Sequence, residues 1–351
     1  MVSLPFPLGG SPSGVRRPAL EVSFGSGGPG DWGPTIASVS VESGLVPSVD
    51  VVVIVAAADQ APSLALGDSG SVAVGYEDSS AELVFTGRIT AVRRKLHGVV
   101  RLEATNGGAL LAGLRIDQSY EQRKAGEIVA DLAQRAGVTT GVVEDGASYP
   151  FYVVDGVRTV LTHIAALARR SGFVAYVTPE DKLSFLPLAE GQPVQTFAYG
   201  TDVLSLQLSE TTPAVGALTV VGEGAAGSQG QEAWSWLAKD PSAVRGSSGT
   251  AAPELSLADA SLRSRDAAQG AAEGQLALSA LTGVTGRLLV PGAPSVAVGA
   301  TIAVEGAPQE ALNGTCVARG VRHSFSKRRG FTTTIWFSQG AGGGLGLGGL
   351  I

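Results

Sequence analysis

The sequence predicts a mixed, mainly β fold in which two small, tube-like antiparallel β-barrels flank an α+β insertion domain. Three observations carry this expectation. Short alternating apolar and polar runs fill residues 35–105 and return after residue 196. Between them the apolar period lengthens to that of a helix. The two alternating regions also share one order of strands and glycine turns.

Residues 1–34, rich in Pro, Gly and Ser, read as an irregular N-terminal arm. Over residues 35–105 the segments IASVSVE, VDVVVIVA, SVAVGY, AELVFTGRITAV and VVRLEAT lie between turn signals such as GDSG, EDSS and RRKLHG, as a first small barrel requires. Residues 106–195 form the α+β insertion. There Ala125, Ile128, Val129, Leu132 and Ala133 follow i, i+3, i+4 spacing, and Gly137 supplies a stop. A second helix carries Val160, Leu161, Ile164, Leu167 and Ala168 on one face and ends at Gly172. The strands FVAYVT and KLSFLPL then form a hairpin around Pro179, Glu180 and Asp181. Residues 196–338 read as the second barrel, interrupted by a Gly/Ser/Ala-rich excursion loop at 222–256 and a helix at 257–281. The last segment, 339–351, is a Gly-rich tail without the side chains to build a core.

The shared order is specific enough to suggest duplication. LGDSGSVAVGY is followed by FTGRITAVRRKLHGVVRLEAT, and VGATIAVEG by NGTCVARGVRHSFSKRRGFTTTIWF. Each half has a Gly-bounded strand, a second strand ending in a basic turn, then Gly98 or Gly330, then a final alternating strand.

Composition narrows the function. A chain of 351 residues is long enough for two or three domains. Hydrophobic residues make up 44% and charged residues 16%, against roughly 25% charged in ordinary soluble domains, so extra surface is expected to be buried against partners. The apolar run at 51–58 is far short of the ~20 residues of a spanning helix, so no membrane insertion is expected. A net charge of −6 provides no chain-wide field for nucleic acid. The lone Cys316 excludes an intrachain disulfide and a multi-cysteine zinc site. The N-terminus lacks the charged and apolar regions of a signal peptide, so the chain is expected to stay in the cytoplasm until assembly.

Chemistry-bearing motifs are sparse. The three histidines, His97, His163 and His323, fall in a turn, a helix and a strand without paired-ligand spacing, so neither metal nor cofactor is expected. No GxSxG elbow and no phosphate-binding loop is present. Of the carboxylates Glu121, Glu127 and Asp131, the last two lie at i, i+4 on one helix face, where solvated side chains are the default. The reading is therefore of a non-enzyme. The basic turns Arg93–Arg94–Lys95 and Lys327–Arg328–Arg329 read as solvated hairpin tips, with charge pairing between subunits as the alternative. Trp234 and Trp236, two residues apart in the excursion loop, are candidate anchors on the chain's own barrel or on a partner. The tail reads as disordered or as ordered only when bound, with Leu345 and Leu347 as its apolar side chains available to a partner.

FTGRI, LAQRAGV, RTVLTHIAALARRSGF, GFVAYVTPEDKLSF and the closing VARGVRHSFS and GFTTTIWF occur in an order that resembles the late control protein D family. These are baseplate hub proteins of contractile phage tails, related to the hub portion of type VI secretion spikes and to hubs of extracellular contractile injection systems. The likeness spans residues 35–338, and the sequence departs from it in the 222–256 loop and the Gly-rich tail. The resemblance implies a homotrimer whose two barrels per chain match a hexameric inner tube. The opposite face would receive a trimeric spike protein, with other baseplate subunits around it, inside a tail or injection particle. Three alternatives stand beside it. A hub of a non-contractile tail is one; a cell-wall-degrading hydrolase would need a catalytic pair; a carbohydrate-binding module would need clustered aromatics, which are only 6% of the chain.

Overall fold

The computed structural model describes residues 16–58, 61–96, 98–188, 191–212, 214–222 and 244–339. The fold is mainly β. Its first region contains β1 (Pro18–Phe24), the one-turn helix α1 (Pro29–Trp32), β2 (Ile36–Gly44), β3 (Val51–Ala57), β4 (Ser69–Tyr76), β5 (Glu82–Arg94) and β6 (Val99–Thr105). Period-two alternation puts Val52, Ile54 and Ala56 of β3 and Val100, Leu102 and Ala104 of β6 on one buried face. Each such fully buried aliphatic side chain stabilises the fold by ~1.5–3 kcal/mol for the larger residues.

The arm is not irregular throughout. Pro18 to Phe24 pair antiparallel with Tyr76 to Gly70, because Val22 and Phe24 alternate onto the same core. Trp32, also fully buried, donates its indole N–H to the Phe24 carbonyl at 3.4 Å. The Pro and Gly residues had masked this pattern.

A middle region follows: α2 (Gly108–Gly113), β7 (Gln118–Lys124), α3 (Ala125–Arg135), β8 (Thr139–Val143), β9 (Ser148–Val154), α4 (Val160–Ser171), β10 (Phe173–Val177) and β11 (Lys182–Pro187). Both expected helices form, with the expected apolar faces buried. Their stops act as glycine stops do: Gly137 and Gly172 have φ of 73° and 69°. At its other end α4 is capped by Thr159, whose hydroxyl accepts the Thr162 N–H.

The remaining elements are β12 (Gln195–Ala198), β13 (Ser205–Glu210), β14 (Ala217–Gly222), β15 (Arg245–Gly249), β16 (Glu254–Asp259), α5 (Arg265–Ala280), β17 (Val284–Pro291), β18 (Thr301–Glu305), β19 (Gly314–Ser326) and β20 (Gly330–Ser338). Two expectations are corrected here. Part of the 222–256 segment is strand, since β14 pairs with β15 antiparallel and with β16 in parallel. The helix starts at Arg265 rather than at 257, where the Ser264 hydroxyl accepts the Ala267 N–H at 3.2 Å. Residues 254–259 are drawn into β16 by that parallel ladder. This segment packs with the α+β core and not with the second β region. Leu218, Val220, Leu262, Ala267, Ala271 and Ala272 join the cluster built on α3 and α4.

The expected mainly β fold with two tube-like barrels is met in part: the fold is mainly β, but no closed barrel forms among the described residues. Among the described residues twelve of the strands form one open sheet, ordered β1-β4-β5-β6-β3-β2-β19-β20-β17-β13, with β12 and β18 off this path; the others form the small sheets β10-β11-β8, β15-β14-β16 and β7-β9. The reason is the antiparallel ladder from Ser38↔Ser326 to Gly44↔Gly320, in which β2 joins β19 instead of closing on its own half. Two apolar cores, one under each half, remain separate on this common sheet.

The 45–49 connection ties the three regions together. Leu45 packs on the second β core and donates its N–H to the Arg319 carbonyl. Val46 and Val49 pack on the α+β core, and the Val46 N–H bonds the Ala175 carbonyl at 2.8 Å. Asp50, 5% exposed, closes the connection. Its carboxylate accepts the Gly44 N–H at 3.0 Å and the Asn106 side-chain amide at 2.9 Å.

Candidate functional site

Side chains on the sheet face opposite the second β core meet in an open trough of about 1230 Å³ where the two halves join. The ladders put Gln207, Arg287, Trp336, Gly320 and Gly44 in one row across β13, β17, β20, β19 and β2. Four strand spacings make that floor ~19 Å wide. The 45–49 connection flanks this floor on one side, and β13 is its outer strand on the other. A bulge between Ala318 and Gly320 brings Arg319 to the trough as well.

Trp336 organises the floor. Its neighbours Ile335 and Phe337 belong to the second β core, so strand alternation turns the indole outward. The Arg322 and Arg287 guanidiniums lie 5.4 and 6.0 Å from its ring. Arg322 also holds Glu42 across the β2–β19 junction through a 3.0 Å contact. The Arg319 guanidinium donates to the Ser338 hydroxyl at 3.2 Å.

The basic turns picked out from sequence come to the opposite end of the same sheet. Ser326, Ser38, Val55, Arg101 and Arg93 occupy one row, so Arg93 and Arg94 share an end with the β19–β20 turn. Arg328 and Arg329 are exposed there, and Lys327 donates from Nζ to the Pro34 carbonyl at 2.7 Å. Arg93 pairs with Glu103, and Arg94 reaches the Leu64 carbonyl at 3.3 Å. Trp234, Trp236, Leu345, Leu347 and His97 lie outside the described residues. Trp336, Arg287 and Arg319 were missed, although alternation in TTTIWF and RLLVP separates the tryptophan and the arginine from the core face.

The titratable residues considered from sequence have structural surroundings. The Thr333 hydroxyl accepts the Ala293 N–H at 2.9 Å and bonds His323 Nδ1 at 3.1 Å. Burial holds the His323 pKa down at about 4. His163 is fully buried in α4, with Nε2 3.0 Å from the Asp155 carbonyl, and burial lowers its pKa too. Glu127 and Asp131 pair with Arg123 and Arg135 on the surface of α3. Near it Arg170 bonds Asp259 at 2.6 Å and links α4 to β16. Among the described residues no group of three or more His, Cys, Asp or Glu is placed to hold a metal, and no helix is long and apolar enough to cross a membrane.

The fold has clear relatives among solved structures. It is similar to a 43 kDa tail protein of prophage MuSo2 from Shewanella oneidensis, with a TM-score of 0.68 and 12% identity over 91% of this chain and 98% of that one. It is similar to a tail protein from Neisseria meningitidis, with a TM-score of 0.70 and 15% identity over 92% and 97% of the two chains. The E. coli c3393 protein, a component of the type VI secretion system with structural similarity to T4 tail proteins gp27 and gp5, matches with a TM-score of 0.60 and 12% identity over 90% of this chain and 76% of that one. The chain thus shares its fold with tail proteins, the class of structure to which the resemblance pointed. A comparison with curated proteins finds no match. The model of the family described as the Alg8 N-terminal domain matches residues 57–327, and the chain belongs to that family.

Proposed function

We propose that the chain is a structural hub subunit of a contractile tail or injection particle, adapting a hexameric inner tube to a trimeric spike. The observation that carries this reading is the end-to-end likeness in fold to two tail proteins, covering 91% and 92% of this chain and nearly all of theirs. The two halves of the sheet, each with its own core and its own basic hairpin, support a pair of related tube-like modules. Gly98 and Gly330, at equivalent places in the two hairpins, have φ of 94° and 75°.

In this reading three copies present six modules. Among the described residues the main path of the sheet ends at β1 on one side and β13 on the other, each with a single strand neighbour, and β12 ends a side branch. Such edges expose unpaired backbone groups, and head-to-tail docking of copies covers them and closes a ring. Arg93, Arg94, Lys327, Arg328 and Arg329, gathered at one end of the sheet, are the proposed contacts to the tube or a neighbouring copy. Trp234, Trp236, Leu345 and Leu347 are proposed contacts to other subunits, the last two to the spike. The output is packing and not catalysis, in the particle and among other baseplate subunits.

Averaged electron-microscope images of particles carrying a tagged copy of the chain test this function. The tag is expected at the junction of tube and spike with threefold multiplicity. A tag distributed along the tube, or absent from the particles, contradicts the proposal.

A further inference from the structure

The trough has properties that a merely covered surface does not need. The Trp336 indole belongs to none of the three apolar cores. Instead it stands beside bare backbone: a Cβ added at Gly320 would lie 3.6 Å from Trp336 Cε3. Gly44, next in the row, has the Ser48 side chain over it, 3.3 Å from where a Cβ would stand. Trp336 is half-buried, and a tryptophan with part of its ring accessible beside cations can anchor partner side chains.

Charge gives the trough a sign. Glu42 is the carboxylate that lines the trough, and Arg322 engages it. Arg287 and Arg319 have no carboxylate partner among the described residues. A cationic trough on a chain of net charge −6 selects anions locally while the rest of the surface repels them. The outer strand selects further. Among the described residues β13 pairs with β17 alone, so its other edge offers backbone N–H and C=O groups at strand spacing, a pattern that another polypeptide backbone matches.

We propose that this trough seats an acidic, extended segment of a partner protein, whose carboxylates meet Arg287 and Arg319 and whose backbone lies against β13. The segment and a neighbouring copy compete for the one open edge of β13, so the trough takes the segment on a chain not yet closed into a ring.

Hexaglutamate titrated into the purified full chain tests it, with the emission of Trp336 taken as the difference between wild type and Trp336→Phe. A saturable change is expected that weakens with added salt and is reduced at least about tenfold in Arg287→Glu/Arg319→Glu. Arg287→Gln/Arg319→Gln, which removes charge without reversing it, is expected to fall between them. Hexalysine is expected to give no change. No saturable response to hexaglutamate, equal affinity in the charge-reversed variant, or tighter binding of a six-nucleotide oligothymidine at the same site would overturn the assignment.

Discussion

Two buried titratable residues pull the stability of this chain in opposite directions with pH. Burial raises the Asp50 pKa from its ordinary 3.8 to about 7, with Asp181 nearby adding repulsion, although the Gly44 N–H, the Ser43 hydroxyl and the Asn106 amide favour the ionised form. A raised folded-state pKa means that the contribution of Asp50 is full below pH 3.8 and is lost as pH climbs through about 7. His323 has the opposite sign. Its pKa falls from 6.5 to about 4, so its contribution is full above pH 6.5 and is lost as pH drops through about 4. Between these values the two slopes offset one another, at ~1.4 kcal/mol per pH unit each. Chemical denaturation of Asp50→Asn at several pH values is expected to show stability relative to wild type rising by a few kcal/mol from pH 4 to pH 7. Asn also turns a donor toward the Gly44 N–H or the Asn106 amide, which lowers stability equally at every pH, so the slope is the readout. A difference between variant and wild type that does not change with pH would exclude Asp50 as the source.

At the scale of elements, α5 shows tertiary contact overriding helix propensity. Gly274 lies in its middle, where Ala is intrinsically better by ~1 kcal/mol. Yet a Cβ there would come within 2.5 Å of the Gly172 backbone, at the point where α4 ends against α5. Gly270 on the same helix has nothing within 4 Å of such an atom. Gly270→Ala is therefore expected to raise the melting temperature, and Gly274→Ala to lower stability by ~1–3 kcal/mol. Stabilisation by both would show that the helices do not touch there. The same contrast explains what could be read from sequence. Strands with a buried face, such as β3 and β6, and the amphipathic α3 and α4 announce themselves by period. β7, QSYEQRK, is largely exposed and exists because it pairs with β9. β15, RGSSG, is held by β14 in the same way. Elements that pairing creates leave little trace in hydrophobic pattern.

For the whole molecule, the decisive feature joins residues far apart in the chain. Arg322 and Glu42, 280 residues apart, meet where β2 enters the second half of the sheet. Alternation tells which side of a strand is buried, but not which strand lies beside it, so two barrels were expected where one continuous sheet exists. The trough is a product of that splice, which explains why Gly44, Gly320 and Trp336 carried no joint signal. Their outward orientation was legible; their proximity was not. Among the described residues the open sheet has edge strands β1, β13 and, on its side branch, β12; for β1 and β13 a ring of copies is the proposed cover. The most direct test of this account is the mass of the purified chain by light scattering over a range of concentrations. Three times 35.4 kDa is expected as concentration rises. A mass of 35.4 kDa throughout would contradict ring closure by the chain itself.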